Sequence, residues 1–424
     1  MQLNLLDDLP EEDPEALRPG LAAFAQRLAE LIPNLSRSSS LLITGEWGAG
    51  KTTLLKAVAR MLETGDKGKA ANTVWFDAWR YEGENALLPI LLRRVWDARP
   101  NKDKTADKTK ALFDTVWRCA LAVSMRAAPS LLGAFGVPVL PSLIKDTVAR
   151  NVGGDLKELP RFFDAAPPKD PTDKLVKAFS ALVKDCWGEA EPVIFIDDLD
   201  RCSPDGAVAL MDGLRMILAQ NDRLPCRFVV ALDRGVMAKA VGNKFTGVDN
   251  YDGNRYLEKV FPLGFHIPRL DPTDAARLTS LMLDRSGTAD SAHRDVLSRT
   301  LTQPVFANPR IMKRCINRYR LVTVFEDGKT GADEVSNRAL AQWIAATERW
   351  HPLRRMLAVQ PKSFWEETRR VVEISDFESN NRDVAELLSQ QDIRGWLTPQ
   401  LFSDLDRRLD ELSRAEERLR RWGL

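Results

Sequence analysis

Histidine and cysteine are scarce and scattered in this chain. Only three histidines occur, His266, His293 and His351, and the five cysteines, Cys119, Cys186, Cys202, Cys226 and Cys315, nowhere fall into C-x-x-C spacing. These spacings argue against a zinc ribbon, a zinc-protease helix and a disulfide framework. An odd number of dispersed thiols fits a reducing compartment. An excess of one charge is lacking too: 61 Lys+Arg face 60 Asp+Glu for a net charge of +1. The balance therefore gives no global pull toward nucleic acid or anionic lipid. The leader MQLNLLDDLPEEDPEAL is acidic and has no basic segment followed by an apolar one, so no secretory signal is read there and a cytoplasmic location is expected. What is present is core material, since a 424-residue chain that is 44% hydrophobic can fill about two to three domains.

Apolar periodicity divides the chain. Leu21, Phe24, Leu28 and Leu31 share one helical face, and a short apolar strand follows at Leu41 to Thr44. After a glycine-rich turn, Leu54, Leu55, Val58, Met61 and Leu62 mark a helix with one buried side. A second strand is expected at Thr73 to Phe76 and a helix from near Asn85 to before Pro100. Residues 101–172 change character: a Lys- and Asp-rich run, a long apolar stretch, then Pro160, Pro167, Pro168 and Pro171, which together read as a helical insertion. Alternation resumes with strands at Val193 to Ile196 and Arg227 to Leu232 and helices before and between them, ending in an apolar run near Val260 to Ile267. Strands alternating with helices predict a parallel, doubly wound α/β sheet. Beyond Pro268 only helical periods remain. The expected division is 1–100 and 173–270 as two parts of one α/β core, 271–330 as a helical lid, and 331–424 as a C-terminal helical module.

Gly45-Glu46-Trp47-Gly48-Ala49-Gly50-Lys51-Thr52 matches G-x-x-x-x-G-K-[ST] at every fixed position, between a strand and a helix. Glycines let such a loop wrap phosphate oxygens, its N–H groups converge on the anion, and the helix start adds its positive dipole end. Lys51 would reach the β- and γ-phosphates, the Thr52 hydroxyl would bind Mg²⁺, and Thr53 completes the loop. A second signal is the apolar strand Pro192 to Ile196 running into Asp197-Asp198-Leu199-Asp200-Arg201. Carboxylates at a strand's carboxyl end are costly unless a cation neutralises them, and in parallel sheets that edge binds ligands. Asp197 is the candidate metal contact and Asp198 the general base; Asp200 is read as a cap or a partner for Arg201. Asp233, after the next strand, fits either a γ-phosphate sensor or a helix N-cap. That strand is expected between the phosphate-loop strand and the acidic one.

The chain resembles the KAP-family P-loop NTPases, a group related to the AAA+ and STAND branches. The resemblance rests on GEWGAGKTT with its Trp47, on Trp75-Phe76-Asp77-Ala78-Trp79-Arg80-Tyr81, on the Asp-Asp-Leu-Asp-Arg run, on Ala231 to Arg234, on Tyr256 to Phe261, and on Asn308-Pro309-Arg310 with Lys313, Arg314 and Asn317. It implies hydrolysis of ATP or GTP with Mg²⁺, and for bacterial members a link to phage exclusion and mobile-element defence. Many members carry membrane helices between the phosphate loop and the acidic strand. Here residues 127–144 are uncharged and of minimal spanning length, but hold Pro129, Pro138, Pro141, Gly133 and Gly136. A soluble insertion and a membrane contact both remain open.

Two arginines are candidates for contacting the transferred phosphate: Arg310 on the lid helix begun by Asn308 and Pro309, and Arg201. Guanine-specific enzymes carry Asn-Lys-x-Asp, and the runs from Asn101 and Asn243 both lack its final aspartate, which favours ATP. The expected activity is Mg-dependent ATP hydrolysis by a switch or motor subunit, working as a homo-oligomer with an effector or partner protein from the same operon. The alternatives are a nucleotide-stabilised scaffold with little turnover and a nucleic-acid-stimulated motor, for which the basic run Arg310 to Arg320 is the local support. The tryptophans at 343, 350, 365, 396 and 422 are expected to be mostly core, and Leu401 to Arg421 to form an amphipathic tail.

Overall fold

The computed structural model describes residues 4–10, 17–37, 39–65, 70–81, 87–100, 106–127, 170–218, 224–244, 251–326 and 337–350, with isolated positions at 353, 370, 384–385, 388–389, 393–394 and 419. Apart from position 419, the expected tail at 401–421 lies outside the described residues, as do Trp365, Trp396, Trp422 and the 127–144 stretch beyond Ala127. Two compact units form: one holds residues 10–17 and 21–268, the other residues 1–9, 18–20 and 269–424.

The larger unit is a five-stranded parallel sheet. Its strands are β1 (Ser40–Thr44), β2 (Thr73–Asp77), β3 (Val193–Asp197), β4 (Arg227–Leu232) and β5 (Leu263–His266), in the order β2-β3-β4-β1-β5. β4 therefore lies between the loop-bearing strand and the acidic strand, as expected of a hydrolysing P-loop enzyme. The central strands read as unbroken apolar runs because both of their faces are covered; β1 and β3 are buried at every position. Edge strand β2 instead alternates between buried and half-buried positions. The pleat sends neighbours to opposite faces. Ile194, Ile196, Phe228 and Val230 enter one core cluster, and Val193, Phe195, Val229 and Ala231 enter another.

Helices fill both faces. The first cluster takes side chains from α3 (Leu87–Asp97), α4 (Asp107–Ala127), α5 (Pro171–Trp187) and α6 (Pro204–Leu218); the second takes them from α1 (Pro19–Leu31) and α2 (Lys51–Thr64). The remaining helices of this unit are α7 (Arg234–Lys244) and α8 (Gly253–Val260). α2 stops at Gly65, whose φ of 71° places its N–H on the Met61 carbonyl at 3.1 Å.

The helical unit holds α9 (Pro272–Ser286), α10 (Ser291–Leu301), α11 (Pro309–Glu326) and α12 (Asn337–Arg349). Asp271 and Asp290 cap the first two through their carboxylates. Its core gathers Phe306, Tyr319, Trp343 and Trp350. The segment Asn4–Leu9 runs along α11. There the Asn317 amide accepts from the Leu6 N–H at 2.8 Å and donates to the Leu6 carbonyl at 2.7 Å, while Arg320 donates to the Asn4 carbonyl at 2.6 Å.

Candidate phosphate and metal site

Parallel register brings every strand's carboxyl end to one edge. Thr44, which leads into the loop at Gly45, pairs with Leu232 and with His266, and Asp77 pairs with Asp197. The residues singled out in the loop, in the acidic run and at Asp233 thus share one rim of the sheet.

The loop is shaped by its glycines. Gly48 and Gly50 sit at φ of 83° and 96°, a region that side-chain-bearing residues rarely enter. Gly50 occupies the cap position of α2, so Lys51, Thr52 and Thr53 form the first turn of that helix, where unpaired N–H groups and the dipole favour an anion. Glu46 accepts the Ala49 N–H through its carbonyl at 3.1 Å, closing the turn around Trp47, whose side chain is exposed. Lys51 is buried, and its ammonium donates to the carbonyls of Gly45 at 3.0 Å and Glu46 at 3.4 Å.

Opposite the loop, Asp197 is the most enclosed carboxylate of the site at 2% exposure. The Thr52 hydroxyl donates to it, and burial together with the neighbouring charge of Asp198 pushes its pKa up to about 6. Its Oδ1 is buried with no hydrogen-bond partner, and the same holds for Asp77 Oδ1 and Asp200 Oδ1. Buried polar atoms are nearly always satisfied. Orphaned carboxylate oxygens beside a hydroxyl are hard oxygen donors, the ligand type that Mg²⁺ takes. Thr52 and Asp197 therefore fit the metal the loop motif calls for.

Asp198 has a different setting. It is the only non-glycine residue with positive φ among the described residues, at 55°, and this twist starts a 3-10 turn over Leu199–Arg201. Arg201 pairs with Asp198 Oδ1 at 2.9 Å and lies over the Trp79 ring, 5.2 Å from its centroid. Burial raises the Asp198 pKa, Arg201 opposes that, and Asp77 and Asp200 add to the rise. Strained backbone of this kind costs about 1–3 kcal/mol and clusters at functional sites.

Asp233 accepts the N–H groups of Gly235 at 2.9 Å and Val236 at 3.2 Å, so its carboxylate caps α7. Arg310 belongs to the helical unit. Asn308 caps α11 there, accepting the Arg310 N–H at 3.0 Å, and the Arg310 guanidinium pairs with Asp8 at 2.9 Å. Two residues of the site carry more than their sequence context suggests. Asp77 stands out in the sequence only as part of a motif, although its place at the end of a strand resembles that of Asp197. Asp200 faces Lys51, with Oδ2 3.9 Å from the ammonium.

Loop, helix start and acidic strand on one edge of a parallel sheet define a P-loop nucleotide site. The description "KAP family P-loop domain" matches residues 21–324, and the chain belongs to that family. It is similar to the phage T7 exclusion protein of Escherichia coli K12, with 24% identity in an alignment 283 residues long that covers 63% of this chain. The alignment covers 35% of the relative, so the chain spans about a third of its length. Among solved structures, the ORC2 protein of Aeropyrum pernix, in ADPNP and ADP complexes, aligns over 97% of this chain and 88% of its own, at 13% identity and a TM-score of 0.40. A Walker-type ATPase of Pyrococcus abyssi aligns over 98% and 99%, at 10% identity and a TM-score of 0.42. Among the described residues, no helix is long and apolar enough to cross a membrane.

Proposed function

We propose that the chain hydrolyses ATP with Mg²⁺ and uses the reaction as a switch or motor step in a defence system that excludes phage. The observation that supports it best is the buried Asp197, held by the Thr52 hydroxyl from the first turn of α2 and left with an unsatisfied Oδ1, on the same sheet edge as Lys51. Backbone N–H groups of the loop hold the phosphates, and Lys51 brings positive charge against the β- and γ-oxygens, where negative charge develops. Thr52 and Asp197 hold the metal, which supplies charge neutralisation along the triphosphate. Asp198 accepts the proton of the attacking water once Arg201 releases it. Arg201 is the proposed γ-phosphate arginine.

The reading of a nucleotide-held scaffold with slow turnover draws on one feature, the Arg201 ion pair that occupies the proposed base. The nucleic-acid reading finds less: the cations of α11 are engaged within their own unit. Arg310 pairs with Asp8, Lys313 donates to the Leu9 carbonyl, and Arg314 and Arg318 pair with Glu348. Assembly into a homo-oligomer, an operon-encoded effector and a cytoplasmic setting belong to the same proposal; the phage link rests on the T7 exclusion relative. Phosphate release from purified chain with Mg-ATP and Mg-GTP, wild type against Lys51→Ala, is the test. Turnover that prefers ATP and vanishes in the variant supports the reading, and turnover that survives Lys51→Ala overturns it.

A further inference from the structure

Asp200, read from the sequence as a cap or a partner for Arg201, has one of the more enclosed charges among the described residues. Its side chain is 7% exposed, like that of Lys51. Its Oδ1 has no hydrogen-bond partner, and its Oδ2 meets the Lys51 ammonium at 3.9 Å, beyond hydrogen-bond length. The approach follows from the backbone: the left-handed Asp198 turns the chain into the Leu199–Arg201 turn, which sends Asp198 toward Arg201 and returns Asp200 beneath the loop. Leu199 is fully buried and anchors that turn. A carboxylate taken out of water with so little hydrogen bonding is costly unless its charge is used. Lys51, for its part, spends its hydrogen bonds on loop carbonyls, which offer partial charges only. Among the described residues, the one full negative charge in ion-pair range of its ammonium is Asp200.

We propose that Asp200 is a positioning residue of the phosphate site, the counter-charge that steadies Lys51 before a polyphosphate arrives and thereby limits how tightly the loop holds its anion. This rests on the reading of the loop as a triphosphate site. When phosphates take up the Lys51 charge, Asp200 becomes a nearby like charge to them, so it weakens the grip on the anion and favours release.

The test is binding of ADP and of tripolyphosphate to the full chain in EDTA, where turnover plays no part. Asp200→Asn keeps the shape and removes the charge. It is expected to tighten both ligands about three- to tenfold, the scale of one charge several ångströms away in a partly solvated site. Asp200→Glu, which keeps the charge, should bind as wild type does. In a Lys51→Ala background both ligands should bind more weakly, and the Asn change should still tighten them, because the repulsion between Asp200 and the phosphates does not need the ammonium. Unchanged or weaker binding by Asp200→Asn overturns the proposal. Wild-type chain that binds neither ligand overturns the triphosphate reading and this inference with it. If Asp200→Asn does not fold, Asp200→Ser, which also removes the charge, carries the same binding test: tightening of both ligands supports the pairing, and unchanged or weaker binding overturns it.

Discussion

Two buried aspartates show how differently the two units treat charge. Asp274 in the helical unit is 6% exposed; its Oδ2 takes the Arg18 guanidinium and the Gly20 N–H, each at 3.3 Å. Asp197 in the nucleotide unit is 2% exposed, has the Thr52 hydroxyl on one side, and keeps Oδ1 unsatisfied. Asp77 and Asp200 repeat the deficit beside it. Asp274 is satisfied by the fold and serves stability. The nucleotide unit instead gathers acceptors at one sheet edge and leaves them short, which is how a site for a cation and a polyphosphate differs from a structural ion pair.

The sharpest way to break that contrast is Asp198→Asn. Removing a positioned base typically costs about a hundredfold to ten-thousandfold in rate. Turnover should fall on that scale while Mg-ATP stays bound, read by single-turnover hydrolysis alongside a retained-nucleotide assay; turnover near the wild-type rate would remove Asp198 from the chemistry. The matching change in the helical unit is Trp343→Ala, which empties a fully buried position. It should cost about 3–5 kcal/mol of stability, visible in denaturant unfolding, with ADP affinity of the folded fraction unchanged. A large loss of affinity would mean that the two units do not divide the labour as their charges suggest.

A smaller effect concerns Asp197 and pH. Its pKa rises from the ordinary 3.8 to about 6 on folding, with burial the leading cause. The folded state then holds the proton more tightly than the unfolded one, so the group's favourable contribution is complete below pH 3.8 and is lost as pH rises through about 6. For a group this buried the loss is at most about 3 kcal/mol. Wild type without metal should lose stability over that window relative to Asp197→Asn, and Mg-nucleotide should cancel the difference. Parallel pH curves for the two proteins would show that the carboxylate is better satisfied than its geometry indicates.

The parts of this site that are legible in the sequence are those where one residue type is chemically forced. Gly48 and Gly50 need positive φ, Lys51 and Thr52 follow them at fixed spacing, and an apolar strand that ends in two adjacent carboxylates, Asp197 and Asp198, calls for a cation. The central position of β1 and β3 is legible too, since a strand buried on both faces shows no alternation. What stays hidden depends on register and long-range partners. Asp77 acquires meaning only when β2 is paired with β3 so that it stands beside Asp197. Asp200 depends on a left-handed residue two positions earlier, a conformation uncommon outside glycine that no local sequence signal announces. Arg310 looks available on a basic helix because its partner, Asp8, lies 302 positions away in the chain. Helices α7, α8 and α10 have no counterpart in the apolar periods read above; α7 is weakly amphipathic, with only Met237, Ala240 and Val241 as its buried residues.

The smallest expected effect tests the other half of the comparison. Asp8 is half exposed where it meets Arg310. Pairs of this kind contribute about 0.2–1 kcal/mol because water already solvates both charges and two long side chains must be held still. Asp8→Asn should therefore shift the unfolding midpoint only slightly, and less at high salt. Asn4 and Leu6 remain bound to Arg320 and Asn317 through backbone atoms that the substitution leaves intact. Amide exchange should accordingly quicken near residues 7–9 and stay slow at Leu6. A loss well above 1 kcal/mol, or release of the whole Asn4–Leu9 segment, would mean that one ion pair governs the segment. Charge in the helical unit would then be as consequential as at the phosphate loop, and the distinction drawn from Asp274 and Asp197 would not hold.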